Sequence, residues 1–102
     1  MVRAEISIIP LGTQSTSVSD YVAAAVSELE SSGLRTTLTA TGTSVEAESP
    51  SRLYEALSRA QEAVFEQGAG RAYTILKMDD RRDRNDRSEE EMVSSVRQSQ
   101  SG

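Results

Sequence analysis

The chain of 102 residues contains no cysteine, histidine or tryptophan, and only 4% of its residues are aromatic. Without cysteine or histidine, disulfide bonds, thiolate nucleophiles, the common zinc sites and histidine-based catalytic triads are excluded. The sequence also carries no cofactor fingerprint, so no cofactor is expected. We therefore expect a protein that is not an enzyme, in which any metal would have to be held by oxygen ligands.

Positive charge is scarce as well, because 16 acidic residues outnumber 11 basic ones and give a net charge of −5. The basic residues form no block free of acids, which argues against nucleic acid as a partner and favours a neutral or cationic ligand. The N-terminal apolar run is interrupted by Glu5 and Ser7, so it is too short for a signal peptide or a membrane span of about 20 residues. We expect a cytoplasmic protein without a membrane partner.

The spacing of hydrophobic residues predicts two strand–helix–strand units. Ile6 and Ile8 alternate with polar residues, which is the strand period, and Pro10 then removes a backbone donor. The residues that can cap or end the helices are Ser17 or Ser19, Gly33, Ser49 followed by Pro50, and Gly68 or Gly70. The predicted order is a strand over 3–9, a helix over 20–32, a hairpin of strands 34–41 and 43–49, a helix from Pro50 to Gly68 or Gly70, and a strand over 71–78.

Two interleaved units of this kind predict an α+β fold, a ferredoxin-like βαββαβ sandwich. Its antiparallel four-stranded sheet carries both helices on one face and leaves the other face uncovered. A short C-terminal helix is predicted over residues 88–97 because Met92, Val93 and Val96 form a small apolar stripe. We expect a single domain over residues 1–97 and a disordered tail over 98–102. Since the core is thin, association between subunits is a plausible source of further burial.

The stretch "VEAES", residues 45–49, places two carboxylates on the uncovered face of the sheet. Val45 and Ala47 face the helices, so Glu46 and Glu48 must face away from them. The same alternation turns Leu38 and Ala40 inward and adds to the uncovered face the residues Glu5, Ser7, Ile9, Arg35, Thr37, Thr39 and Thr41. These groups can simply be solvated, or a ligand or a second sheet can dock on them. Glu46 is the better ligand candidate because it is expected within reach of the loop after Pro10, whereas Glu48 suits an interface.

Two other stretches have a structural and a functional interpretation. The hydroxyl-rich loop over residues 12–17 leads into a helix, so it can cap that helix or receive an anion, although it has no phosphate-loop pattern. The run "DDRRD", residues 79–83, has the close carboxylates of a magnesium site, but its arginines compete for them. A salt-bridged corner is the favoured interpretation of this run, and no metal site is predicted.

Several segments resemble a known family. They are "VRAEISIIPLGTQSTSVSDYVAAAV", "TATGTSVEAES", "AQEAVFEQGAGR" and "KMDDRRDR", and their order and spacing cover about residues 2–97. Together they are similar to the thiamin-binding protein family of the MTH1187/YkoF type, formerly a domain of unknown function. The resemblance implies a ferredoxin-like, non-enzymatic domain that associates through its sheets into homodimers or homotetramers.

The resemblance also implies a ligand, thiamin (vitamin B1) or its hydroxymethylpyrimidine moiety. The positions that match the recurrent family pattern, and are therefore expected to bind the ligand, are Pro10, Leu11, Gly12, Thr16, Ser17, Thr41, Gly42, Thr43 and Glu46. Thiamin is a cation whose aminopyrimidine offers donors and acceptors, so a carboxylate and several hydroxyls could satisfy it. The alternative is an assembly or regulatory subunit whose uncovered sheet face serves self-association or protein partners.

Overall fold

The structure is a computed structural model that describes residues 1–12, 18–83 and 89–101. Its elements in chain order are β1 (Val2–Leu11), α1 (Val18–Ser31), β2 (Arg35–Leu38), β3 (Thr43–Ala47), α2 (Pro50–Glu66), β4 (Arg71–Asp80) and α3 (Glu89–Ser101). The strands form one antiparallel sheet in the order β2-β3-β1-β4. Helices α1 and α2 pack on one of its faces, so the ferredoxin-like α+β fold predicted from the sequence is confirmed.

The hydrophobic core lies between the sheet and helices α1 and α2. Strand β1 contributes alternate residues, Val2, Ala4 and Ile6, which is why its polar residues face the other way. Leu29 of α1 and Leu53 of α2 are fully buried against them. Small residues supply much of the rest of this core, including Ala25, Ala56 and Ala60.

The ends of the helices follow local sequence signals. The Ser49 hydroxyl accepts a hydrogen bond from the backbone N–H of Arg52 at 3.3 Å, and Pro50 begins α2. Gly33 follows α1 with φ +82°, and Gly68 follows α2 with φ +109°. Glycine adopts this left-handed backbone without the steric cost that other residues meet. These signals were predicted correctly.

Several element boundaries differ from the prediction, among them the ends of β2, β4 and α3. Strand β2 ends at Leu38, which lies opposite Thr43 on the helix side of the sheet as predicted but is 60% exposed, because β2 is an edge strand and the chain turns immediately after it. In that turn the backbone N–H of Thr39 donates to the Gly42 carbonyl at 2.8 Å, and Ala40 is exposed. Strand β4 continues to Asp80, because its backbone pairs with β1 as far as Val2. Helix α3 continues to Ser101, into the segment predicted as a tail.

The sheet face opposite α1 and α2, called the open face below, is partly covered by α3. The sequence predicts this helix but assigns it no packing partner. In the structure the Met92 sulfur of α3 lies 4.0 Å from Arg3 Nη1 of β1. Residues of α3 and of all four strands line a common cavity. None of the described helices is long and apolar enough to cross a membrane.

Candidate functional site

Charges of alternating sign cross the open face in one row, one from each strand. In spatial order the row, called the charged row below, consists of Arg35, Glu46, Arg3 and Asp79. Residues directly opposite each other in antiparallel strands share a face, and their Cβ atoms lie about 4.5–5.5 Å apart. The strand register therefore assembles positions that are far apart in sequence into one continuous charged surface.

Glu46 lies between two arginines of this row. Its Oε1 is 3.1 Å from Arg3 Nε, and its Oε2 is 3.9 Å from Arg35 Nη1. The side chains of Arg3 and Glu46 are only 16% and 23% exposed, whereas Arg35 is 85% exposed. The shielded pair with Arg3 is thus the stronger of the two contacts, since solvent screens exposed pairs.

A second row of polar side chains lies beside the charged row. Strand pairing places Thr37 opposite Ser44, Ser44 opposite Glu5, and Glu5 opposite Lys77. Neither Glu5 nor Lys77 has an oppositely charged side-chain atom within 4.0 Å among residues 1–12, 18–83 and 89–101. This row therefore offers hydroxyls and charged groups that a ligand can engage.

A cavity of about 610 Å³ lies between these two rows and α3. The rows form its floor, and Met92, Val93, Val96, Arg97 and Gln100 of α3 form its wall. Sites for small molecules typically enclose about 300–1,000 Å³ and combine apolar walls with a few polar groups. The cavity has the size and the mixed lining of a site for a small organic molecule.

Of the residues expected to bind the ligand, the described ones fall at different places in the sheet and its connections. Glu46 lines the cavity, but Pro10, Leu11 and Gly12 lie at the other end of β1. At the rise of a β-strand, the distance from Arg3 to Leu11 is roughly 25 Å. Glu46 is therefore not within reach of the described part of this loop, contrary to expectation. Thr16 and Ser17 lie outside the described residues.

The predicted turn packs against the middle of β1 rather than lining the cavity. The Ser7 hydroxyl donates to the Thr41 carbonyl at 2.9 Å. A Cβ atom at Gly42 would lie 2.9 Å from Ser7 Oγ and 3.0 Å from the Ile6 carbonyl oxygen. Thr43 is buried and lies opposite Ile6 on the helix-covered side. In the described structure these contacts give the turn a role in packing.

Several residues of the cavity were not identified from the sequence. Arg3, Lys77 and Asp79 lie on its floor, and Arg97 lies on its wall. The strand register is the signal that could have identified them, because a charged residue on one strand becomes part of a site only together with its neighbour on the next strand. That register depends on tertiary pairing, which the alternation within one strand does not specify.

The acidic run at the end of β4 is held by its own arginines. Arg82 contacts Asp80 at 2.9 Å, and Arg81 donates twice to Asp83, each bond 3.2 Å long. These hydrogen bonds raise the pKa of both guanidinium groups above the ordinary arginine value. The salt-bridged corner expected from the sequence is present, and no cluster of three potential metal-ligating acids occurs among the described residues.

The part of the open face beyond the cavity is apolar. Ile9 lies opposite Tyr73, and Ile75 lies opposite Ser7, so the three hydrophobic side chains are neighbours. Ile9 is 42% exposed, Tyr73 is 52% exposed and Ile75 is 42% exposed. We call these three residues the apolar patch. Contiguous exposed apolar surface of this kind is typical of interaction sites.

Comparison with known proteins assigns the chain to a family. The family described as thiamine-binding protein matches residues 4–97. A UPF0045 protein of Methanothermobacter thermautotrophicus is 49% identical over 98 residues, which cover 96% of this chain and 98% of that protein. The crystal structure of the hypothetical protein MJ1052 of Methanocaldococcus jannascii is 30% identical with a TM-score of 0.78, covering 93% of this chain and 94% of that one.

A more distant solved structure shares the fold. It is TM0486 of Thermotoga maritima, described as a proposed thiamine biosynthesis/salvage protein, with a TM-score of 0.73 and 21% identity over 93% of this chain and 97% of that one. At this identity the likeness concerns the fold alone. The family match, which extends from β1 into α3, carries the assignment. The chain therefore belongs to the thiamine-binding protein family.

Proposed function

We propose that the protein is a non-enzymatic binding protein for thiamin or its hydroxymethylpyrimidine moiety, and that the ligand occupies the cavity beside Glu46. The observation that carries the proposal is this cavity of about 610 Å³, in a chain of the thiamine-binding family. Its polar floor and apolar wall suit a heterocycle with hydrogen-bonding groups on its edge.

The chemistry of the lining matches an aminopyrimidine. Glu46 can accept hydrogen bonds from an exocyclic amine, and the hydroxyls of Ser44 and Thr37 can donate to ring nitrogens or accept from the amine. The chain has few aromatic residues to stack on the ring, but Met92 is on the wall. A thioether makes favourable contacts with aromatic rings and adapts to their shape.

Titration calorimetry with thiamin and hydroxymethylpyrimidine tests the proposal. We expect saturable binding of at least one ligand, weakened at least about tenfold by Glu46→Gln, because a charged acceptor contributes more than a neutral one. Glu48→Gln is the matched control, since Glu48 is exposed and lies outside the cavity lining. Absence of heat with both ligands from a folded wild-type protein would refute the proposal.

We also propose that the chain self-associates into a homodimer or homotetramer through the apolar patch. Three exposed hydrophobic side chains at neighbouring positions on one sheet face are costly in water. They lie on β1 and on β4, which is an edge strand with ten residues. If the charged row were itself an assembly interface, Glu46→Gln would change the mass of the oligomer; a ligand site at Glu46, with assembly through the apolar patch, predicts a change in affinity at constant mass.

A further inference from the structure

The cavity contains two basic side chains that form no ion pair with an acid among the described residues. Lys77 of β4 and Arg97 of α3 both line it. Neither has a carboxylate within 4.0 Å among residues 1–12, 18–83 and 89–101. Lys77 is also the chain's sole lysine. These two cations are available to an anionic group of a ligand.

The charge of the cavity contrasts with that of the whole chain. The chain carries a net charge of −5, yet the lining has four basic residues, Arg3, Arg35, Lys77 and Arg97, and three acidic ones, Glu5, Glu46 and Asp79. Glu46 pairs with two of these arginines, Glu5 lies opposite Lys77, and Asp79 lies opposite Arg3. The lining as a whole therefore has one positive charge in excess, which favours a ligand that carries negative charge in addition to a polar heterocycle.

Lys77 and Arg97, for which the described residues supply no ion-pair partner, come from different sides of the cavity. Lys77 belongs to the sheet floor, opposite Glu5, and Arg97 belongs to the helix wall. An ammonium contributes a compact point charge, and a guanidinium can donate two parallel hydrogen bonds to phosphate oxygens. A phosphate between them would be held from both walls, and a phosphate monoester carries about −1.5 to −2 charge at neutral pH.

We propose that the preferred ligand is a phosphate monoester of the heterocycle, with the phosphate bound by Lys77 and Arg97 and the ring beside Glu46. This inference rests on the proposed function and specifies the chemical form of its ligand. The same charges explain why a site for a cationic vitamin is lined by more basic than acidic residues: the ester has both signs. Because the phosphate contacts are electrostatic, added salt should weaken binding of the ester more than binding of free thiamin.

Calorimetry with thiamin, thiamin monophosphate and inorganic phosphate, on the full chain at fixed ionic strength, tests the inference. We expect the monophosphate to bind the wild type at least about tenfold more tightly than thiamin. This ratio should fall towards one in Lys77→Gln and in Arg97→Gln. It should persist in Arg52→Gln, a matched removal of charge at an exposed residue outside the cavity lining.

The outcomes separate the two proposals. Equal affinity for thiamin and its monophosphate, or a preference that survives both substitutions, would overturn the phosphate inference and leave vitamin binding standing. Inorganic phosphate binding as tightly as the ester would also overturn it, since the heterocycle would then contribute nothing. Binding of neither thiamin nor the ester would overturn both proposals.

Because the chain has a single lysine, chemical modification of its amine provides a second test of the inference. Reductive methylation can modify the Lys77 amine and the chain's N-terminal amine, and mass spectrometry of peptides distinguishes them. We expect thiamin monophosphate to slow methylation of Lys77 relative to the N-terminus, and free thiamin at equal saturation to protect it less. Equal protection by both ligands would place the phosphate elsewhere and contradict the inference.

Discussion

Glu46 has both a structural partner, Arg3, and a proposed role in ligand binding. Its pair with Arg3 is partly shielded, so the carboxylate has a structural partner before any ligand arrives. We expect Glu46→Gln to lower the free energy of unfolding by only about 0.5–1 kcal/mol, because the amide oxygen can still accept from Arg3 Nε. Urea denaturation measures this, with Glu48→Gln as the control that should change nothing. A loss of about 3 kcal/mol or more would show that Glu46 is chiefly a structural residue.

Glycine is required at position 42 because of close packing, and not because of an unusual backbone angle. Its missing Cβ would lie 3.0 Å from a backbone carbonyl of β1, which cannot move cheaply. Gly42→Ala should therefore destabilise the fold by about 1–3 kcal/mol in urea denaturation. At Gly70 the nearest atom would be 3.4 Å away, so Gly70→Ala is the matched control with the smaller expected effect. Equal costs at the two positions would contradict this account.

At the scale of secondary structure, sequence signals specified the elements better than the contacts between them. Alternation within β1 predicted that Glu5 and Ser7 face away from the helices, and the Ser49–Pro50 pair predicted the start of α2, because both signals are local. The neighbours of Glu46 could not be predicted in this way, since Arg3 and Arg35 reach it only through the register of separate strands. For the same reason the apolar stripe of α3 predicted a helix but not the surface it covers.

The start of α2 allows a direct test of helix capping by a local sequence signal. Ser49→Ala removes the acceptor for the Arg52 N–H and should destabilise the protein by about 1 kcal/mol, within the usual range of 0.5–2 kcal/mol. Ser49→Asp should restore most of the loss, because aspartate also accepts this bond. Ser51→Ala, at an exposed position within the first turn, is the control and should stay within about 0.5 kcal/mol. Denaturation midpoints that fall equally for Ser49→Ala and Ser51→Ala would argue against capping.

Helix α3 contributes to the cavity more than to the core. Val93 and Val96 remain 49% and 60% exposed, so the helix buries little apolar surface. We expect a chain ending at Asp83 to unfold cooperatively, with a free energy of unfolding within about 1 kcal/mol of that of the full chain, since the core lies on the other side of the sheet. The same truncation should abolish ligand binding in calorimetry, because it removes the wall of the cavity. Retention of full affinity would show that the ligand binds elsewhere.

For the whole molecule, the open face divides into a charged half that can hold a ligand and an apolar half that can hold a second copy. We expect Ile75→Lys to shift the protein towards the 11.0 kDa monomer in sedimentation velocity, because a charge would enter the centre of the proposed interface. Tyr54→Lys is the control, since Tyr54 is 50% exposed on α2, away from the open face. An oligomer that survives Ile75→Lys, or a wild type that is monomeric at every concentration, would refute association through the patch. If Ile75→Lys gives a monomer that still binds ligand, each cavity works within a single chain; if affinity falls together with mass, assembly is needed to hold α3 over the charged row.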